Sequence, residues 1–403
     1  ISNTTYIATI TGKLGYCEYD IGNLDIALEN FNEGLSLFKK SKDNTGIAMT
    51  EGHLGMVLLQ KGDLDEALKH FNNQYKISKE NDSRKMVCYA LGNIALIHNI
   101  RGQYHQSLEI YGEVITTTED IYDLMGQAQT YGNLGIIHKN LNGYKKSEFN
   151  YNKQLEIAKK INDEHMIGKA FGGIAIVYQK TGKFNKSIKY LDKAISIQKS
   201  LKDNNALAGN LCNLSLSYFD LGNISEAKNK MDTGINLFKK IGNKRAIQIG
   251  NFEMSKFLHF EDDYILGTDI LNPAIKYFEE IDDTIYLLRS LIQLGILQRL
   301  NKQVEKSIKT LHKSLEIANK IKHTLFIKTI NIELDICDIK SSHNKLKEHI
   351  EETDDLNTKA YIYFNIYQYT NDENAKLLSQ KNYKALYKEH KKFEYKYYLN
   401  KLK

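Results

Sequence analysis

Apolar residues recur at spacings of three and four along most of this chain, the spacing that places them on one face of an α-helix. Leu211, Leu214 and Tyr218 form one such stripe. In that part of the chain the pattern predicts a first helix over about 204–221 and a second over about 224–241. The chain is therefore expected to form pairs of helices that are separated by short turns.

The helical pattern repeats with a period of 40 residues from Leu14 to about Ile321. Its clearest mark is a small residue in the first helix of each unit, which keeps its position without a slip. Because one helix pair cannot bury its apolar stripe alone, eight units in register predict a solenoid whose neighbours complete each other's core. The small residues are Gly15, Gly55, Ala95, Gly135, Ala175, Ser215, Ser255 and Gly295.

Three further columns keep this register and predict how the two helices of a unit meet. Glycine or asparagine in a turn column indicates backbone with positive φ. A second small column and a column of large residues predict helices that interdigitate, with small residues opposite large ones. The turn column is Gly22, Gly62, Gly102, Asn142, Gly182, Gly222, Asp262 and Lys302. The second small column is Ala27, Ala67, Ser107, Ser147, Ser187, Ala227, Gly267 and Ser307. The column of large residues is Phe31, Phe71, Tyr111, Tyr151, Leu191, Met231, Leu271 and Leu311.

These columns resemble the tetratricopeptide repeat (TPR), although the proline that ends the usual repeat of about 34 residues is missing and Pro273 is the only proline. The string Gly-Asn-Leu-Gly at 132–135 is most similar to the 40-residue form of spindle-orientation adaptors of the LGN/Pins type and of many bacterial signalling proteins. The resemblance implies an all-α fold, a right-handed TPR superhelix (α-solenoid) of antiparallel helix pairs.

The repeats are expected to fill residues 1–321 as eight tandem units. After Ile321 the register fails while helical periodicity continues, and terminal repeats are atypical because one of their faces meets water. Residues 322–403 are therefore expected to be divergent helical repeats that form a C-terminal cap with a basic, aromatic-rich last helix.

The net charge of +6 comes from the end of the chain. Residues 381–403 hold eight lysines against Glu389 and Glu394, which leaves 47 basic and 47 acidic residues in the rest. Lysines interleaved with aromatic residues could contact nucleic acid or an anionic membrane. The interpretation we favour is a final amphipathic helix whose aromatic residues close the core, so nucleic acid is not the expected partner.

Composition and cysteine usage indicate a folded protein of a reducing compartment, and we expect a cytoplasmic location. Apolar residues make up 42% and charged residues 26% of the 403, and no stretch approaches the roughly 20 apolar residues of a membrane span. The first residue is Ile1, so we expect that the chain was excised from something longer or processed. Four cysteines lie far apart without metal-site spacing, and we expect free thiols.

The sequence contains no motif that indicates catalysis. His-Glu-x-x-His, a phosphate-binding glycine loop and Gly-x-Ser-x-Gly are all missing. His98 and His138 lie one repeat apart in the column that also holds Tyr178 and Tyr218, and equivalent positions of adjacent repeats are too far apart to share a metal ion. We therefore expect a protein that is not an enzyme and that needs no cofactor or metal.

The resemblance implies a binding groove along the concave side, lined by the first helices. In this family an asparagine of that face typically holds the backbone of a bound peptide, since its amide both donates and accepts; the alternative is that these asparagines only satisfy neighbouring groups. A column of glycines beside them indicates either tight packing or a cleared floor. The asparagines are Asn93, Asn133 and Asn213; the other expected groove residues are Leu96, Ile136, Ile176, Leu216, Lys139, Gln179, Lys180 and Phe219; the glycines are Gly12, Gly52, Gly92, Gly132 and Gly172.

Three functions remain open from the sequence. The first is a protein-protein interaction module that binds a partner segment, acidic and amphipathic, because basic residues outnumber acidic ones on the expected groove face. The second is the sensory or regulatory region of a bacterial signalling protein that binds a peptide or controls an attached effector. The third is nucleic-acid binding through the tail. The partner's identity and the oligomeric state do not follow from the sequence.

Overall fold

The computed structural model describes residues 3–403, apart from the side chain of Asp20, and these residues form α-helices joined by short turns without any strand. The helices are α1 (Asn3–Asp20), α2 (Leu24–Ser41), α3 (Asn44–Lys61), α4 (Leu64–Glu80), α5 (Arg84–Ile100), α6 (Tyr104–Asp120), α7 (Leu124–Asn140), α8 (Tyr144–Lys160), α9 (Glu164–Lys180), α10 (Phe184–Leu201), α11 (Asn204–Asp220), α12 (Ile224–Lys240), α13 (Lys244–Phe260), α14 (Tyr264–Glu280), α15 (Thr284–Leu300), α16 (Val304–Lys320), α17 (Thr324–Cys337), α18 (Ile339–Glu352), α19 (Leu356–Thr370), α20 (Glu373–Glu389) and α21 (Phe393–Lys401).

The helices fall into two compact units, residues 1–177 and 178–403, here called unit 1 and unit 2. Within each unit every helix packs against the next, and first helices of neighbouring repeats also touch, as α3 and α5 do in unit 1 and α13 and α15 in unit 2. The all-α helical-repeat fold is thus confirmed. The helices α11 and α12 each end one residue before the predicted end.

Every residue of the predicted turn column has positive φ. The angles run from 57° at Asn142 to 90° at Gly62, and Asp262 and Lys302 adopt the same conformation despite their side chains. A second left-handed column, also 40 residues apart, joins successive repeats. No single residue type dominates this column, so the sequence pattern did not show it. Its members are Lys42, Asp82, Tyr122, Asn162, Lys202, Gly242, Asp282 and Lys322.

The predicted contact of small with large residues is present within the repeats. A Cβ atom added to Gly55 would lie 2.5 Å from the ring of Phe71, and one added to Gly135 would lie 2.8 Å from the ring of Tyr151. The second small column is equally closed, since Ala67 is fully buried. Where that column holds serine, as at Ser107, the hydroxyl donates to a first-helix carbonyl, that of Ala95, at 2.7 Å. The two helices of a repeat are therefore held together by close packing and, where the column holds serine, also by a hydrogen bond.

The end of unit 2 is built from five helices, α17 to α21, and all of them except α20 are shorter than the repeat helices. Their core contains Tyr383, Tyr395, Tyr398 and Leu402, all buried. The aromatic residues of the tail thus close a core, which supports the interpretation of the tail as a packed amphipathic helix. The boundary at residue 321 stays a prediction.

Two glycine substitutions in unit 1 test the close approach. Gly55→Ala is expected to destabilise the protein by about 1–3 kcal/mol, because Phe71 is fully buried and its ring has no room to move. Gly112→Ala is the matched control, since an exposed helical glycine with open space around it gains about 0.4–1 kcal/mol as alanine. Chemical denaturation followed by circular dichroism measures both. Equal stability of the two variants would contradict the assigned packing.

Candidate functional site

The asparagines expected in the groove of unit 1 face a small cavity between α5, α6 and α7. Asn93, Asn133 and Leu96 line it together with Gly92 and Tyr111, and its volume is about 60 Å³. A space of this size holds little more than ordered water. The expected residues do come together here, but the cavity does not hold a peptide side chain.

Asn133 is engaged by a neighbour within unit 1. It shares a side-chain hydrogen bond with Tyr111, whose hydroxyl donates to the carbonyl of Gly92 at 3.0 Å. Burial raises the pKa of Tyr111 well above its usual range, and the bond from Asn133 acts in the opposite direction. For Asn133 the structure therefore favours the alternative in which the amide satisfies a neighbouring group.

The glycine column has two different roles in unit 1. A Cβ atom at Gly52 or Gly132 would collide with the amide of Gln74 or Gln154, so these glycines serve tight packing. Gly92 has open space beside it, since the facing position of α6 holds a valine where α4 and α8 hold glutamine. The cavity thus exists where this facing side chain is short.

Unit 2 contains a much larger cavity of about 470 Å³, here called the groove pocket. One side comes from the repeat helices and includes the expected residues Gln179, Lys180, Leu216 and Phe219. The other side comes from α17, α19 and α21, together with Lys392 directly before α21. The lining residues used below are Asp220, Glu253, Lys256, His259, Arg289, Gln293, Ile296, Thr329, Glu333, Asn357, Tyr361, Lys392, Glu394 and Tyr398.

Stacked aromatic rings form part of the repeat side of the groove pocket. The rings of Phe219 on α11 and Phe257 on α13 stack with centroids 4.6 Å apart, and Phe260 lies 5.3 Å from Phe219. Phe393, the first residue of α21, meets the edges of Phe219 and Phe260 at 5.7 and 5.9 Å. The last helix is therefore seated on residues that the sequence assigns to the groove face.

Turn residues of the repeats hold the last helix in place. Asp262 accepts hydrogen bonds from the hydroxyl of Tyr397 at 2.9 Å and from the ammonium of Lys401 at 3.0 Å. At Gly222 a Cβ atom would lie 2.9 Å from the ring of Phe393, so the missing side chain leaves room for the tail.

A buried arginine joins the repeats to the cap. Arg299 on α15 is 3% exposed and donates to Glu333 at 3.1 Å and to the hydroxyl of Tyr361 at 2.9 Å. It also donates to Asn365 and to the hydroxyl of Tyr369, both at 3.2 Å. Four acceptors around one guanidinium make a charge-assisted network that holds α15, α17 and α19 together.

Charged groups of both signs face the groove pocket. Glu253 and Lys256 form an ion pair at 2.8 Å. Burial raises the pKa of Asp220 to about 6, although Lys392 and Lys256 oppose that rise. Loss of water lowers the pKa of Lys180, and the nearby cations Lys392 and Lys256 lower it further. Burial also raises the pKa of Glu394. The pocket therefore disfavours the charged state of several of its own groups.

His259 lies at the edge of the groove pocket, stacked on Phe260 with ring centroids 4.8 Å apart. Burial lowers its pKa to about 4; Arg299, Lys256 and Lys401 add to this effect and Asp262 opposes it. The imidazole is therefore neutral at pH 7.

The remaining expected groove residues, Asn213, Ile136, Lys139 and Ile176, are half-buried on their helices and line neither cavity. The residues that sequence reasoning missed belong to the cap, among them Tyr361, Lys392 and Glu394. No helix in the described part of the chain is long and apolar enough to cross a membrane.

Comparison with protein families supports the repeat assignment. Models described as tetratricopeptide repeat match residues 6–80, 87–123, 128–161 and 168–201. No curated protein matches the chain.

Solved structures share the fold at low sequence identity. A Signal Transduction ATPase with Numerous Domains from Pyrococcus horikoshii, with a tetratricopeptide repeat sensor, is 18% identical over 87% of this chain with a TM-score of 0.59, and the chain spans 55% of that protein. A Rap protein complexed with Competence and Sporulation Factor is 14% identical over 83% of this chain and 98% of its own, with a TM-score of 0.57. The Rap conjugation gene regulator of plasmid pLS20, in complex with the Phr* peptide, is 12% identical over 80% and 96%, with a TM-score of 0.59.

The Arg299 network yields a stability prediction. Arg299→Met is expected to cost about 3–5 kcal/mol, because it leaves Glu333 buried without a counter-charge. The double variant Arg299→Met/Glu333→Leu should recover part of that loss. Arg84→Met, which removes an exposed ion pair with Asp120, is the control and should cost less than about 1 kcal/mol. Chemical denaturation measures all three, and equal effects of the two single variants would contradict the network.

His259 yields a pH prediction. Its folded-state pKa lies below the value of 6.5 for a free histidine, so the unfolded chain binds a proton first and stability is lost as the pH falls from 6.5 towards 4. Over this range the unfolding free energy of the parent should fall by at most about 3 kcal/mol more than that of the His259→Phe variant. The measurement is the difference in unfolding free energy between the two proteins at pH 7 and at pH 4. An unchanged difference would mean that His259 is protonated in the folded protein.

Proposed function

Since this chain belongs to the tetratricopeptide repeat family, we propose that it is a non-catalytic regulatory module that binds a peptide or a short protein segment in the groove pocket of unit 2. The observation that carries the proposal is the partly open cavity of about 470 Å³ on the repeat face. Ligand pockets usually measure about 300–1,000 Å³ and combine apolar walls with a few polar groups.

The walls of the groove pocket suit a peptide. Leu216, Phe219 and Ile296 supply apolar surface, and Gln179 and Gln293 supply amides that can donate to or accept from a peptide backbone. A Rap regulator of this fold has been solved with the Phr* peptide. That likeness supports a peptide ligand for the same kind of repeat array.

The charges of the groove pocket do not select an acidic segment. Four cations line it, namely Lys180, Lys256, Arg289 and Lys392, and so do four carboxylates, those of Asp220, Glu253, Glu333 and Glu394. A strongly acidic ligand would meet as much repulsion as attraction. The expectation of an acidic partner therefore gives way to a ligand of mixed charge.

A tryptophan placed in the groove pocket tests the proposal. Thr329→Trp fills the cavity from α17, and Leu325→Trp is the matched control one turn earlier on the same helix, at a side chain that is 67% exposed. Peptides enriched from a random display library on the full chain should bind the Thr329 variant at least about tenfold more weakly than the parent. The control should bind them as the parent does.

The chain contains no tryptophan, so each variant carries a single fluorescent reporter. Peptide binding is measured by titration calorimetry for all three proteins, and the reporter emission shows whether the new side chain is shielded from water. Equal affinity of the Thr329 variant and the parent, with the indole shielded, would move the binding site away from the groove pocket.

A further inference from the structure

Helix α1 of unit 1 presents a row of apolar side chains to the solvent, here called the α1 stripe. Its members are Tyr6, Ile7, Ile10, Leu14 and Cys17, and all five are exposed. The exposed fraction reaches 62% at Tyr6 and 54% at Leu14. The helix packs against α2 and α3 with its other side. Single exposed apolar residues are normal in a folded protein, whereas a contiguous row of them marks an interaction surface.

The same face is covered in the later repeats. Leu54 and Val57 of α3 are the counterparts of Leu14 and Cys17, and both belong to one core with Phe31 of α2. The counterparts of Cys17 are buried in every later repeat. They are Val57, Ile97, Ile137, Val177, Ser217, Phe257 and Leu297. The α1 stripe is therefore a packing surface, and no helix of the described residues covers it.

One residue of the α1 stripe is larger than its counterparts. Ile10 stands in a column whose later members are all smaller and all buried. At one of them, Gly250, a Cβ atom would lie 2.6 Å from the side chain of Ile235 on the preceding second helix, α12. A small residue there lets that helix approach, and isoleucine would hold it away. The α1 stripe is thus not shaped for another repeat of the same kind. The later members are Thr50, Ala90, Thr130, Ala170, Asn210, Gly250 and Ser290.

The spacing of the α1 stripe instead matches that of a two-helix coiled coil. Ile7, Ile10, Leu14 and Cys17 follow one another at intervals of three, four and three residues, as the a and d positions of a heptad do. Such a row packs against a second row of the same spacing, and each side chain inserts between side chains of the other helix. A helix with the same heptad spacing is therefore the partner that this face fits.

The α1 stripe suits pairing with itself because its surroundings are nearly uncharged. From Asn3 to Cys17 the helix contains one charged residue, Lys13. A twofold interface brings the same patch together twice, so a patch rich in one charge would repel its own copy. The lack of charge avoids this repulsion. It also gives a partner of different sequence little electrostatic complementarity to recognise.

We propose that a second copy of this chain covers the α1 stripe, with the two α1 helices antiparallel about a twofold axis. Ile10 then packs against the partner's Leu14, and Ile7 packs against the partner's Cys17. This arrangement sets a large side chain opposite a small one and opposes the two helix dipoles. The inference goes beyond the proposed function, because it concerns α1 of unit 1 and neither of the two cavities.

The size of the α1 stripe predicts a weak dimer. Its five half-exposed side chains, taken from both copies, offer on the order of 500 Å² of apolar surface, at about 100 Å² for a fully exposed side chain. Neighbouring atoms add to this area, but the interface stays below the roughly 1,200 Å² of a standard-size interface. We expect a dissociation constant of about 10–100 µM, as befits a transient contact.

Sedimentation velocity of the full chain tests the dimer over a range of about 1–300 µM. Leu14→Lys places a charge in the interface of both copies and should weaken the dimer at least about tenfold. Phe149→Lys is the matched control, since this side chain of α8 is 59% exposed and lies outside the α1 stripe. It should dimerise as the parent does, and circular dichroism shows whether both variants are folded. A parent that stays monomeric over the whole range would overturn the inference, as would Leu14→Lys dimerising like the parent.

A disulfide tests the antiparallel register. Ile7→Cys places a thiol beside the partner's Cys17, so mild oxidation should link two copies on a non-reducing gel. Within one chain, positions 7 and 17 lie about 15 Å apart along the helix, which is too far for a bridge. Ile7→Cys combined with Cys17→Ser removes the acceptor thiol and should abolish most of the linking, and Phe149→Cys reports linking by random collision. Equal linking of the single and double variants would overturn the antiparallel arrangement.

Discussion

The close approach of the two helices within each repeat is the constraint on which the other features of this protein depend. Gly55 lies against the ring of Phe71 with no space for a Cβ atom, and Ser107 bonds across the same kind of interface to the carbonyl of Ala95. A helix pair held this tightly acts as one body, so its remaining apolar stripe packs against the next pair. First helices then lie side by side, which in unit 2 brings Phe219 and Phe257 into a stack.

The C-terminal helices of unit 2 cover part of this face. Asp262 holds Tyr397 and Lys401, and Arg299 donates to acceptors on both α17 and α19. The groove face is consequently one wall of a pocket. Partial burial strengthens the electrostatic contacts in this pocket, since less water surrounds the charges.

The polar groups of unit 2 are satisfied very unequally. Arg299 is almost fully buried and has four hydrogen-bond acceptors, as a structural ion network requires. Asp220 and Gln293 belong to the same unit and lack partners in the part of the chain that the structure describes. Arg299 itself keeps its Nε without a partner, so buried polar atoms that lack a hydrogen bond occur both in the ion network and beside the groove pocket.

The 40-residue period by itself determined the helices, the positive φ of the turn column and the packing of small against large residues, because these depend on positions at constant spacing within each repeat. It also assigned Leu216, Phe219 and Lys180 to one face. The partial covering of that face by the C-terminal helices was decided only by the tertiary structure. Contacts such as Tyr397 with Asp262 join residues 135 positions apart and have no counterpart in other repeats, so they leave no periodic trace. Whether a charge is paired depends on which side chains the fold brings together, and the pattern along the chain does not contain that information.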